Sequence, residues 1–396
     1  MAPYFAKLAA LAAFIVPLVF AAPTPHLKIR NAEATDIVPD SYIVVYKNDV
    51  SAETIASHVS NVNSLVARRG TDGIGATYNL EKLKGYQVHA DAETIATIAA
   101  SPEVDYIEKD AKVYAWSLST ESGAPYGLAR VSHREPGTSS YIYDSTAGSG
   151  VTIYVVDTGI YLEHSEFGGR ATWGANYISG SPDTDEYGHG THVSGTAAGS
   201  TYGVAKNANL VAVKVLDKNG SGTYSGVISG IQWVATNAVA HSILTMSLGG
   251  GYSAAVNSAV ASAVSAGVTV TVAAGNSNAD AKDYSPASEP SAIAIAAIDS
   301  TDARAYFSNF GSLIKVFAPG VDVLSSWIGG TTATNTISGT SMATPHIAGL
   351  AAYLIGLEGL SSPAAVLARI QALATSGKVT DPKSDNNLIA YNGNGA

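Results

Sequence analysis

Apolar positions recur along the chain with two periods, and the changes of period divide it. Tyr42 to Tyr46 is an apolar run, Ser51 to Val66 carries apolar residues at helical spacing, and Ala76 to Leu80 and Tyr86 to His89 read as short strands either side of Lys84-Gly85. Asp91 stands where an N-cap would open a helix over Ala92 to Ala100, and Val104 to Tyr114 reads as a last strand. Strand, helix, strand, strand, helix, strand is the order of a small split-βαβ, ferredoxin-like α+β unit.

From Ser117 onward charge thins and Gly, Ala and Ser dominate. Val151 to Val156, Leu210 to Val215, Ile243 to Ser247 and Val268 to Ala273 are near-continuous apolar runs, the pattern of parallel strands covered on both faces. Between them Gly226 to Ala235 suits a crossover helix, and Ala255, Ala259, Val260, Ala263 and Val264 fall at helical spacing. The prediction is an α/β, doubly wound parallel sheet behind the small α+β unit, with no solenoid repeat or low-complexity tract.

The N-terminus adds a destination. Lys7 precedes an apolar run from Leu8 to Phe20 that closes on Ala21, with Val19 three positions before the cut; this reads as a signal peptide over residues 1–21. The run contains Pro17 and is shorter than the ~20 apolar residues that span a bilayer, so a secreted, extracellular protein is expected. The 396 residues contain no cysteine, which excludes disulfides, thiol catalysis and thiolate zinc sites. The formal net charge of −10 is spread without blocks, so neither nucleic acid nor membrane is expected as a partner. One sequon, Asn219-Gly220-Ser221, makes Asn219 a candidate for glycosylation.

Ligands of open α/β sheets sit at the carboxyl ends of the strands, so polar residues closing apolar runs are candidates. Asp157 closes one in Val156-Asp157-Thr158-Gly159, and Asn276 follows Ala273-Ala274-Gly275. The segment Gly188-His189-Gly190-Thr191-His192-Val193 puts His189 at the edge of a small-residue helix; without a His-Glu-x-x-His pattern it does not read as a zinc site, and His192 reads as a buried structural partner. In Ser338-Gly339-Thr340-Ser341-Met342-Ala343-Thr344-Pro345, Ser341 opens a helix whose backbone N–H groups and dipole suit an oxyanion. Pro345 is tolerable so early in a helix. Together Asp157, His189, Ser341 and Asn276 supply orienter, base, nucleophile and oxyanion donor, the set that makes a serine hydroxyl reactive. The chain order Asp, His, Ser and the absence of Gly-x-Ser-x-Gly set it apart from α/β-hydrolases.

On these motifs the chain resembles the subtilisin-like serine proteases of the proteinase K subgroup, secreted fungal alkaline proteases of the oryzin type among them, over nearly everything from Asp40 to Asn392. The resemblance implies a broad-specificity serine endopeptidase with protein substrates, monomeric and made as a self-processing zymogen. Asn276 and the Ser341 backbone N–H would then bind the tetrahedral oxyanion. Gly220, Ser221 and Gly222, and Ser247, Leu248, Gly249 and Gly250, would be edge strands pairing with extended substrate. Ala273, Ala274 and Gly275 would wall the primary specificity pocket, which carries no charge and so favours an apolar or aromatic residue before the scissile bond. Residues 22–116 would be the inhibitor and foldase propeptide, cut near Trp116-Ser117, and 117–396 the peptidase domain.

Two departures from the family pattern stand out. No cofactor is expected to be required. Proteinase K-like enzymes hold a structural calcium ion with two carbonyls, which map to Pro290 and Ala292, and an Asp, at whose position stands Lys315; a structural calcium is then weakened though not excluded, and the Lys315 ammonium is expected to substitute for the ion. The stretch Thr236 to Thr245 is a few residues shorter than the family's connection and has Thr245 where Asn is usual; it reads first as a harmless surface deletion or an error in the translated gene, and second, because it feeds Ser247, as a shift of the pocket.

Overall fold

The computed structural model describes residues 29–31, 34, 37–69, 73–111 and 118–395. The signal peptide at 1–21 and the cut near Trp116-Ser117 lie outside them. Two compact units are present, Met1–Ala115 and Trp116–Ala396.

The first unit follows the expected order. Its strands lie in the sequence Gly73–Leu80, Leu83–His89, Ile37–Tyr46, Val104–Ala111, each antiparallel to its neighbour. Helices Ala52–Arg69 and Ala92–Ala99 belong to the same unit, and Asp91 caps the second by accepting from Thr94 N at 2.7 Å. Val62 and Val66 from the first helix and Ile95 and Ile98 from the second close over Val44, Tyr86, Val88 and Ile107, all buried. The last strand is described as far as Ala111, and its expected continuation to Tyr114 lies outside the described residues.

The second unit is built on a nine-stranded sheet. From one edge to the other run Thr375–Ser376, Leu388–Ile389, Ile314–Pro319, Ile293–Ile298, Thr269–Ala273, Ser242–Met246, Thr152–Asp157, Asn209–Lys214 and Ala171–Asn176. All neighbours are parallel except the first two. Alternation sorts the side chains. Ile153, Val155, Ile243 and Ile295 meet helices His189–Ala198 and Thr340–Glu358 on one face, while Tyr154, Val156, Leu244 and Val272 meet Tyr224–Asn237 and Ala254–Ser265 on the other. Both faces are therefore covered, which is why these strands read as continuous apolar runs.

After Thr152–Asp157 the chain builds on one side of that strand, then crosses to Ser242–Met246 on the other. This is the topological switch point of the sheet, and the carboxyl ends of Thr152–Asp157, Ser242–Met246 and Thr269–Ala273 deliver Asp157, Ser247 and Asn276 beside it. Thr245 pairs in register with Val155 and Thr271, and the buried Thr245 and Thr271 hydroxyls have no hydrogen-bond partner among the described residues.

Candidate active site

Asp157 is fully buried at its strand end. Its Oδ1 accepts from Thr158 N at 2.7 Å and bonds His189 Nδ1 at 2.8 Å, while Oδ2 has no hydrogen-bond partner among the described residues. His189 is the first residue of its helix, after Gly188, whose φ of 106° lies in the left-handed region that favours glycine. The helix start lies tightly on the strand end: Gly190 N donates to Thr158 Oγ1 at 2.9 Å, and any side chain at 190 would collide with the Gly159 carbonyl.

A residue not singled out in the sequence, Asp185, fixes this junction. Its Oδ1 accepts from Thr158 Oγ1 (2.8 Å), Tyr187 N (3.0 Å) and Gly188 N (2.8 Å), and its Oδ2 from Thr191 N (2.9 Å) and Thr191 Oγ1 (2.7 Å). Asp-x-x-Gly before a helix is an Asx-turn signal that would have found it. Burial alone would pull the His189 imidazole down; the charge and hydrogen bond of Asp157, then the charge of Asp185, overcome it and hold it above 6.5. His192 is buried with Nε2 against the carbonyls of Val323 (3.0 Å) and Asn335 (3.2 Å), and burial brings it down to about 4. It is the structural histidine that the sequence suggested.

Ser341 is the second residue of helix Thr340–Glu358. Its Oγ donates to Ser247 O at 2.9 Å, and Ser247 Oγ donates to Ser341 O at 2.8 Å. No hydrogen bond joins Ser341 to His189, so the hydroxyl must turn from Ser247 O before a proton passes to the ring. Asn276 is exposed, and its Oδ1 accepts from Thr340 N (2.9 Å) and Thr340 Oγ1 (2.8 Å), which leaves Nδ2 to donate elsewhere. A methyl group on Gly339 would stand 3.5 Å from Asn276 Nδ2 and 3.6 Å from Ser341 N, so both donors border the space that this glycine leaves open.

Gly220, Ser221, Gly222, Ser247, Leu248 and Gly249 line a cleft of about 430 Å³ together with His189. They are not strands by themselves: Gly220 and Ser221 close the Asp217 turn, Gly220 N donating to Asp217 O at 3.0 Å, Asp217 N to Ser221 O at 2.8 Å and Ser221 N to Asp217 Oδ1 at 3.0 Å, and Gly222 leads to the next helix. Gly250 is in a strand: with Gly251 it pairs antiparallel to Ser285 and Tyr284 in a two-stranded sheet, of which it forms one edge. Ala273, Ala274, Gly275 and Asn276 line a second cavity of about 210 Å³ with Ser341, and no charged side chain faces it. Asn219 is exposed in its turn, its N donating to Asp217 Oδ1 at 2.8 Å.

Lys315 sits where the pairing of Ile314–Pro319 with Ile293–Ile298 shifts register, between Ile314 and Val316. Its ammonium makes no hydrogen bond or ion pair, with Pro290 and Ala292 or with any other described residue, so it does not stand in for an ion by direct contact. At the position that the resemblance gives to the third calcium ligand, this side chain presents a cation instead of a hard carboxylate oxygen.

Residues 148–391 match the model of the subtilase family, and residues 41–115 that of the peptidase inhibitor I9. The chain is 61% identical over 395 residues to "Subtilisin-like protease 2" of Pseudogymnoascus destructans, covering 98% of this chain and 99% of that protein. To "Alkaline protease 1" of Emericella nidulans it is 46% identical over 394 residues, 96% of each. Among solved structures, a cold adapted subtilisin-like serine proteinase matches with a TM-score of 0.66 at 46% identity, covering 68% of this chain and 99% of that one.

Proposed function

The chain belongs to the subtilase family, and from that premise we propose that Ser341 is the nucleophile, His189 its general base and Asp157 the group that orients the base. The protein is a secreted serine endopeptidase made with an inhibitory propeptide. Ser341 Oγ turns from Ser247 O to His189 Nε2, gives up its proton and attacks the peptide carbonyl. Asp157 holds Nδ1–H, which leaves Nε2 as the acceptor and stabilises the imidazolium. Asn276 Nδ2 and Ser341 N donate to the tetrahedral oxyanion. His189 then protonates the departing amine, and water repeats the sequence on the acyl-enzyme.

The uncharged cavity at Ala273, Ala274 and Gly275 takes the side chain before the scissile bond, with apolar and aromatic residues preferred. Gly220 to Gly222 and Ser247 to Gly249 border the cleft and meet the backbone of an extended substrate, as in strand addition to a sheet edge. Residues 22–116 are removed by a cut near Trp116-Ser117, and residues 117–396 are the mature peptidase. The mature enzyme is monomeric, needs no cofactor and carries its glycan, where one is attached, at Asn219.

The observation that carries this reading is the 2.8 Å bond from buried Asp157 to His189, on a cleft that also holds Ser247, the hydrogen-bond partner of Ser341. The test is Ser341→Ala. The variant is expected to accumulate as unprocessed precursor and clear no casein, whereas normal maturation by it would place the nucleophile elsewhere.

A further inference from the structure

Asn276 stands on a loop after strand Thr269–Ala273, and four hydrogen bonds from one residue hold that loop. Asn309 is completely buried. Its side-chain Nδ2 donates to Ala274 O at 2.9 Å, and its Oδ1 accepts from Ser277 N at 2.9 Å and Ala279 N at 3.1 Å. Its backbone N donates to Gly275 O at 2.9 Å. Gly275 has a φ of 104°, and a side chain there would collide with the Asn309 amide nitrogen, so the loop and Asn309 are fitted to each other.

The clasp surrounds Asn276 without touching its side chain. Residues 274, 275, 277 and 279 are all tied to Asn309, and Asn278 N donates to Phe307 O at 2.8 Å. The Asn276 carboxamide is left to Thr340, which holds Oδ1 and thereby settles which end of the amide faces the open space beside Gly339. Arg304 steadies the far side: its Nη1 donates to Ser308 O (2.7 Å) and Asn278 Oδ1 (3.1 Å). An oxyanion donor acts through its preorganisation, so the residue that fixes its backbone bears on the rate although it never meets substrate.

We propose that Asn309 is a positioning residue for catalysis, setting the Asn276 amide at the distance the tetrahedral oxyanion requires. The inference rests on the reading of Asn276 as oxyanion donor. It separates Asn309 from an ordinary buried asparagine, because an effect exerted through Asn276 must vanish when that amide is gone.

The test is a double-mutant cycle on the secreted, self-processed enzyme, with kcat on a peptide amide normalised to active sites counted by ester burst. Asn309→Asp keeps the shape and an acceptor but loses the donor to Ala274 O; Asn309→Ser, smaller and uncharged, is measured beside it in case a buried carboxylate prevents folding. Each is expected to lower kcat per active site by roughly 10–10²-fold, with KM little changed. In the Asn276→Ala background the same changes are expected to cost less than about twofold. Full additivity, or a loss confined to melting temperature and active-site count, overturns the positioning role while leaving Asn276 in place. If Asn276→Ala alone leaves kcat unchanged, the oxyanion reading falls and this inference with it.

Discussion

Ser247 and Ser341 hold each other by two hydrogen bonds of opposite sense, Ser341 Oγ to Ser247 O at 2.9 Å and Ser247 Oγ to Ser341 O at 2.8 Å. The second has a cause in the sequence. Within helix Thr340–Glu358 the carbonyl of Ser341 would bond the N–H four residues on, but that residue is Pro345 and has none. Ser247 supplies the missing donor and pins the turn bearing the nucleophile to the end of strand Ser242–Met246. Ser247→Ala should therefore leave a carbonyl unpartnered and cost about 1–3 kcal/mol of stability, read as a lowered melting temperature. An unchanged melting temperature would show that water replaces the hydroxyl at no cost.

The pH profile follows from His189. Turnover needs its neutral form, and Asp157 and Asp185 together hold its pKa above 6.5 against burial. The acid limb of kcat/KM is therefore expected to have its midpoint above 6.5, with activity persisting into alkaline pH. Asp185→Asn removes one of the charges favouring the imidazolium, so its midpoint should move toward acid; a move toward base would contradict the assignment. His192, brought down to about 4, is neutral throughout that limb.

Asn276→Ala is expected to lower kcat by about 10²–10³, the loss reported for the corresponding donor of subtilisin, with KM almost unmoved. Steady-state kinetics on a peptide amide check this. A rise in KM at constant kcat would make Asn276 a substrate-binding residue instead.

Lys315 leads to a metal-removal experiment. With a cation at the third ligand position, chelator should leave the melting temperature within about 2 °C, whereas Lys315→Asp in calcium should become chelator-sensitive. A sharp fall for the unsubstituted enzyme would mean that calcium binds despite the lysine.

The sequence made the fold class legible because parallel strands covered on both faces leave apolar runs too long to miss, as in Val151 to Val156. It made Asp157, His189 and Ser341 legible because each ends or begins an element among small residues, where a reactive side chain stands out. Thr340 and Asn309 were not, since each bonds groups that only the fold brings near, Asn309 holding the Ala274 carbonyl from 35 residues away; Asp185 was passed over although its Asp-x-x-Gly turn is local. The pairing of Gly250 with Ser285 was not legible for a related reason, as Ser285 lies far along the chain and no local pattern announces it.

The central claim is that Ser341 is a nucleophile activated by His189 on Asp157. Its most direct measurement is covalent labelling of the mature enzyme with a fluorophosphonate, followed by peptide mass spectrometry. The account predicts one adduct, on Ser341, whose formation drops by orders of magnitude in His189→Ala. An adduct on another serine, or labelling of Ser341 at an unchanged rate without His189, would contradict it.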